Sequence, residues 1–223
     1  MAIAPWQHTV AMLVVLGLWA WLGELRRQLP GPATPRPIAY TSNMLVEFLL
    51  AGSAIAGLYA RRDFLARVFG RLTALGAVAE VMLGCFVYLL GRALQMMLGH
   101  LLRPLAEIHL QPAGTVAPPF SGAELALWIL FCLSVAACEE FIVRGYLLQQ
   151  VTRWTNSAAV GVCATALLFG CMHLYQGAAA AITITAMGLL YGIVAVARGN
   201  LWAVIVAHFL QDAVIGLVLY LRS

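Results

Sequence analysis

The chain has no lysine, and every one of its 13 basic residues is arginine. Charge of either sign is scarce: Asp, Glu and Arg together make up 10% of 223 residues. The net charge of +4 is scattered over short loops, so it reads as a topology signal and excludes a nucleic-acid-binding patch. Cysteine is present but lacks loop context. All five (Cys85, Cys132, Cys138, Cys163, Cys171) lie in apolar segments, which argues against a disulfide framework and for small apolar packing. The residues ahead of the first apolar run carry no arginine, so that run lacks the basic start of a cleaved signal and is expected to be a retained helix. No internal repeat is visible. What remains is a sequence that is 63% hydrophobic with mean hydropathy +0.91. That composition excludes a soluble domain and predicts an all-α, polytopic membrane helix bundle. The expected organisation is a single transmembrane domain over 1–223.

The apolar runs give about seven spans, with six to eight as the range. They cover 9–23, 43–60, 72–102, a run starting after Ser121 and ending near Thr152, then 158–174, 178–197 and 201–221. Pro30 to Pro37 reads as a loop, because proline cannot sit in a helix interior. Ser121, with Glu124 three residues on, predicts a capping box. Loops alternate sides. The amino terminus, the 61–71 loop, the 153–157 turn and the 198–200 turn fall together. Six arginines accompany them (Arg61, Arg62, Arg67, Arg71, Arg153, Arg198), against five on the other face (Arg26, Arg27, Arg36, Arg103, Arg222). Together with the nearly uncharged 104–120 loop, this bias predicts a cytoplasmic amino terminus.

Three charges interrupt the apolar run from Leu125 to Leu148: Glu139, Glu140 and Arg144. Charged groups at membrane depth cost several kcal/mol, so they are rare and functional by default. On a helix Glu140 and Arg144 are i and i+4 in the favourable order for an ion pair. Glu139 is turned about 100° away and has no partner on its own helix. A structural ion pair therefore accounts for Glu140 and Arg144 and leaves Glu139 over, a buried carboxyl able to accept and return protons. Two further sites repeat the i, i+4 spacing: Phe169 with His173, and His208 with Asp212. Counted from the shared face at 1.5 Å per residue, Glu139, His173, His208 and Asp212 lie about 12–23 Å deep. They form one layer inside the bilayer, where a polar cavity shielded from lipid is expected.

Glu-Glu-x-x-x-Arg, Phe-x-x-x-His and His-x-x-x-Asp, in that order on successive membrane helices, resemble the motifs of the CAAX-protease and bacteriocin-processing family. This family, also called ABI or CPBP proteins, includes the type II CAAX prenyl endopeptidases. The likeness runs from Glu139 to Asp212, about a third of the chain, within catalytic-motif helices expected over 122–221. It implies an intramembrane endopeptidase in which Glu139 and His173 activate water. His208 and Asp212 would stabilise the oxyanion, while Glu140, Arg144 and Phe169 support the site. Eukaryotic members carry Asn where this chain has Asp212. Either Asp212 is protonated and donates, or it orients His208 and leaves donation to the imidazole. The family is also described as metalloproteases, and Glu, two His and Asp could hold zinc. The absence of a His-Glu-x-x-His pair favours a glutamate mechanism with no metal and no other cofactor.

The expected partners are a peptide or protein substrate at the membrane and the lipid bilayer, with no nucleic acid. The expected location is a bacterial inner membrane. Two other readings compete: a non-catalytic scaffold or immunity protein of the same family, and a small transporter or proton relay using Glu47, Glu80 and Arg92. The intact polar set argues against the first, and the absence of two similar halves against the second. Glu47, Glu80 and Arg92 are expected to be cavity-lining or interhelical contacts. The substrate could be a prenylated carboxyl-terminal peptide, a bacteriocin-like precursor or a sorting-signal tail.

Overall fold

Long apolar runs in lipid satisfy their backbone only within helices, and every regular element of the computed structural model is a helix among the residues it describes, 3–28, 34–58, 68–70, 72–106 and 117–222. Among the described residues seven helices longer than a single turn follow in order: α1 (Trp6–Gln28), α2 (Arg36–Leu58), α3 (Ala74–Leu101), α4 (Gly122–Thr155), α5 (Ala158–Met172), α6 (Ala178–Arg198) and α7 (Trp202–Tyr220). Six are long and apolar enough to cross a membrane; α5, with 15 residues, is shorter. At 1.5 Å per residue α5 spans about 22 Å, less than a hydrocarbon core of about 30 Å. Large apolar side chains such as Leu75, Met82, Phe86 and Leu89 of α3 point outward, as a lipid-facing surface requires. The chain is an integral, multi-pass membrane protein.

The structure corrects several expected boundaries. Pro37 lies inside the first turn of α2, where a missing N–H costs nothing because that donor has no intrahelical partner anyway. Ser121 caps α4 by accepting from the Glu124 N–H, but the Glu124 carboxylate reaches back one residue further, to the Phe120 N–H at 2.8 Å. α4 runs through Thr155 and closes on Asn156 in the left-handed region (φ 52°). α5 stops at Met172, and a 3₁₀ turn (Leu174–Gln176) links it to α6.

The largest departure from a regular helix is inside α4, where Phe141–Leu147 form a π-helix directly after the two glutamates. Such wide turns are rare and cluster at functional sites. All seven residues are buried.

Close approach of backbones holds the bundle where lipid removes most of the hydrophobic drive. α5 and α6 meet at Gly188, where a Cβ would sit 3.1–3.2 Å from Ala166. They meet again at Gly170, where a Cβ would collide with Thr185 and the Ala181 carbonyl. Glu80 of α3 accepts from Arg198 (2.6 Å) and Asn200 (3.0 Å), an interhelical contact of the kind expected for it. Arg92 instead donates to Gln95 of its own helix at 2.8 Å.

Gln150 near the end of α4 clasps the amino-terminal segment, its Oε1 accepting from the Ile3 N–H (2.9 Å) and its Nε2 donating to the Ala4 carbonyl (2.9 Å). Trp202 Nε1 donates to the Phe69 carbonyl at 2.6 Å, and Phe69 stacks on Phe141. The amino-terminal segment, residues 68–70, the end of α4 and the 198–202 turn thus share one side, as the loop alternation predicts. Arg61, Arg62, Arg67 and Arg71 of the basic loop, Pro30 to Ala33, and Glu107 and Pro112 of the long loop lie outside the described residues.

Candidate active site

Glu139 and Glu140 diverge as the helical rotation of about 100° per residue requires. Glu140 has no exposed surface, while Glu139 keeps 21% of its side chain exposed and lines a cavity of about 710 Å³. Arg144 reaches Glu140 across one turn, Nη1 to Oε1 at 3.0 Å. Its Nη2 donates to the Gly188 carbonyl of α6 at 3.2 Å. The guanidinium lies 4.8 Å from the Phe169 ring and 5.7 Å from the Tyr191 ring. A desolvated cation over aromatic faces gains electrostatically. Glu140 Oε2 and Arg144 Nε remain buried without a hydrogen-bond partner.

Glu140 has a second partner that the sequence spacing does not reveal. His208 Nδ1 of α7 donates to the same Oε1 at 2.8 Å. Glu140 therefore ties α4 to α7 as well as to Arg144, and it fixes which edge of the His208 ring faces the cavity. His208 Nε2 lies 3.5 Å from Asp212 Oδ2 and 3.8 Å from Glu139 Oε2. Three carboxyl groups thus surround one imidazole. With Nδ1–H committed to Glu140, Nε2 can donate only when the ring carries both protons.

His173 stands at the end of α5, just past its last helical residue. Its Nδ1 donates to the Phe169 carbonyl at 2.7 Å, and the two rings meet edge to face at 4.7 Å. That bond leaves Nε2 of the neutral ring as an acceptor. Glu139, Phe169, His173, His208 and Asp212 all line the 710 Å³ cavity. The sequence-derived set is thereby brought together from α4, α5 and α7, with Glu140 and Arg144 behind the wall.

The cavity extends away from the shared amino-terminal side. Gly99 and Leu102 at the end of α3, Ala179 at the start of α6 and Leu219 near the end of α7 form its far walls. Gln211 also lines it, accepting from the Tyr191 hydroxyl at 2.9 Å.

Two residues of α2 enter the site although sequence reasoning placed neither in the catalytic set. Glu47 and Asn43, one turn apart, line both this cavity and a smaller one of about 180 Å³ that also contains Glu139, His173 and Tyr175. Glu47 is 8% exposed, and its Oε2 has no hydrogen-bond partner. The signal that could have found it is an acid in an apolar run with Asn43 on the same helical face.

As to a metal, no three His, Cys, Asp or Glu side chains converge as a ligand set among the described residues. His208 Nδ1 and His173 Nδ1 are held by Glu140 and by the Phe169 carbonyl, which leaves each Nε2 as the ring nitrogen available to the cavity. All five cysteines are free thiols.

Residues 121–214 match the family model described as type II CAAX prenyl endopeptidase Rce1-like. The match begins at the Ser121 cap, takes in α4, α5 and α6, and ends two residues beyond Asp212. It leaves α1 to α3 outside. No curated protein and no solved structure matches the chain. Glu139, Glu140 and Arg144 on α4, His173 after α5, and His208 and Asp212 on α7 all lie within that matched segment, so the part of the chain that carries the site is similar to the type II CAAX prenyl endopeptidases.

Proposed function

We propose that the chain is an intramembrane endopeptidase that hydrolyses a peptide bond near the end of a membrane-associated or lipidated substrate. The observation that carries this reading is the convergence of Glu139, His173, His208 and Asp212 on one cavity inside the bundle. Glu139, with Nε2 of His173 as a second acceptor, takes a proton from water as its oxygen adds to the carbonyl carbon. The oxyanion that forms meets His208 Nε2 and Asp212. Donors aimed at developing charge in a site away from bulk water do most in the transition state.

Glu140 already holds His208 Nδ1. This supports the donor role for Asp212, because the orienting carboxylate that His208 needs is supplied by α4. We infer a glutamate mechanism without metal, since the sequence carries no His-Glu-x-x-His pair. The location we propose is a bacterial inner membrane with a cytoplasmic amino terminus. On that reading the cavity extends toward the opposite compartment.

Glu139→Gln tests the assignment. The amide keeps the shape and cannot take the proton, so proteolysis should vanish while the protein still accumulates in the membrane. An inventory of membrane peptides from cells with the parent or the Gln variant reads out both the loss and the substrate. A Gln variant that produces the same peptides at the parent's rate refutes the base assignment.

A further inference from the structure

The proteolytic reading leaves a buried acid of α2 unused. Glu47 comes from α2, outside the family-matched segment, and has an unpartnered Oε2 at 8% exposure. An isolated charge is costly at this depth, and an unsatisfied polar group is nearly as unwelcome. Around it stand Glu139 and His208, with which it interacts electrostatically, together with Asn43, His173 and Tyr175. Arg144, the cation closest to the motif, is bound to Glu140 and lines neither cavity.

The arrangement around Glu139 is two-sided. His208 and Asp212 border only the larger cavity, while Glu47 borders the larger and the smaller alike. Glu139 lies where the two cavities meet. With the oxygen of a carbonyl attacked at Glu139 turned to His208 and Asp212, Glu47 is the remaining carboxyl that lines the cavities and is left to face the nitrogen.

Resting on the protease reading, we propose that Glu47 is a further catalytic residue, the general acid that protonates the leaving nitrogen. In the first step the Glu139 carboxylate takes a proton from water, and the water oxygen bonds to the carbonyl carbon. In the second the tetrahedral intermediate collapses and the C–N bond breaks with its electron pair on nitrogen. The proton of the Glu47 carboxylic acid passes to that nitrogen, giving an amine and a carboxylic acid. The proton held by Glu139 then moves to the Glu47 carboxylate, and both groups return to their starting forms. The two carboxyls divide base and acid work between them, as paired carboxyls in different surroundings can.

The test uses the full chain in lipid nanodiscs with two probes. One is an internally quenched apolar peptide, and the other is the matched aryl ester at the same carbonyl, whose phenoxide leaves without protonation. Glu47→Gln should lower turnover of the amide about 100-fold with little change in KM, and turnover of the aryl ester by less than about threefold. Glu47→Asp should restore part of the amide rate. Equal loss on both probes, or no loss on either, overturns the proposal, since a structural or binding role does not depend on the leaving group. Infrared spectra supply a reading independent of turnover: Glu47→Gln should remove one carboxylic acid band that the parent and Glu139→Gln both show, leaving the Asp212 band in place. Spectra in which Glu47→Gln removes no such band overturn the acid role while leaving the protease reading intact. A parent that cleaves neither probe refutes the protease reading itself.

Discussion

Breaking the Arg144 contact should destabilise the fold and misplace His208 at the same time. Arg144→Met keeps an unbranched apolar stem and removes the guanidinium. The Nη1 bond to Glu140 (3.0 Å), the Nη2 bond to the Gly188 carbonyl (3.2 Å) and the stacking against Phe169 and Tyr191 are lost together. What remains is a fully buried Glu140 whose Oε2 already lacks a partner and whose Oε1 keeps only His208. Removing one member of a buried pair costs about 3–5 kcal/mol, because the survivor stays desolvated and unpaired. Glu140→Gln strands the arginine instead and should fall in the same range. The double variant strands neither charge. Its loss should therefore be smaller than the sum of the single losses by about 2 kcal/mol, the size of coupling expected for groups in one buried network. The assay is reversible unfolding in mixed micelles by titration with a denaturing detergent, run on parent, both singles and the double. Two single variants within about 1 kcal/mol of the parent, or strictly additive losses, would sink the argument.

Asp212→Asn should keep activity within about tenfold of the parent at every pH, because the amide preserves a donor of similar size beside His208. A uniform loss larger than that would assign Asp212 to orienting the imidazole as a carboxylate. Purified active protein should contain no stoichiometric zinc, and chelators should leave its rate unchanged; one tightly held zinc per chain by elemental analysis overturns the metal-free mechanism.

The parts of the site readable from sequence are those that depend on spacing within one helix. Glu140 with Arg144, and the turning of Glu139 away from both, follow from 3.6 residues per turn, and the structure repeats them. So does the Ser121 cap, since its donor is three residues away. What escaped is what depends on other helices or on departures from regular geometry. The Glu140–His208 bond joins residues 68 positions apart. Glu47 is legible only as a cavity or interhelical residue, because nothing in an isolated α2 says which neighbour its acid faces. The π-helix was invisible for a different reason: Phe141 to Leu147 contain no proline, and their apolar pattern suits a regular helix equally well. Pro37 misled in the opposite direction, its penalty being absent in a first turn.

That π segment has a consequence for chain length. Its hydrogen bonds run i to i+5 where an α-helix uses i to i+4, so the turn accommodates an additional residue. On its near side stand Glu139 and Glu140. On its far side Gln150 grips the backbone of Ile3 and Ala4, and within it Tyr146 bonds to His8 and Thr9. Deleting one residue between Phe141 and Leu147 would let the helix regularise with little loss of backbone bonding, and everything beyond would keep nearly its present phase, because the wide turn holds one residue more for about the same rotation. In the regular turns of α4 there is no such slack, and an added or removed residue rotates everything beyond it by about 100°. The π segment is thus a place where α4 can change its number of residues while the glutamates keep their cavity at one end and Gln150 keeps Ile3 and Ala4 at the other.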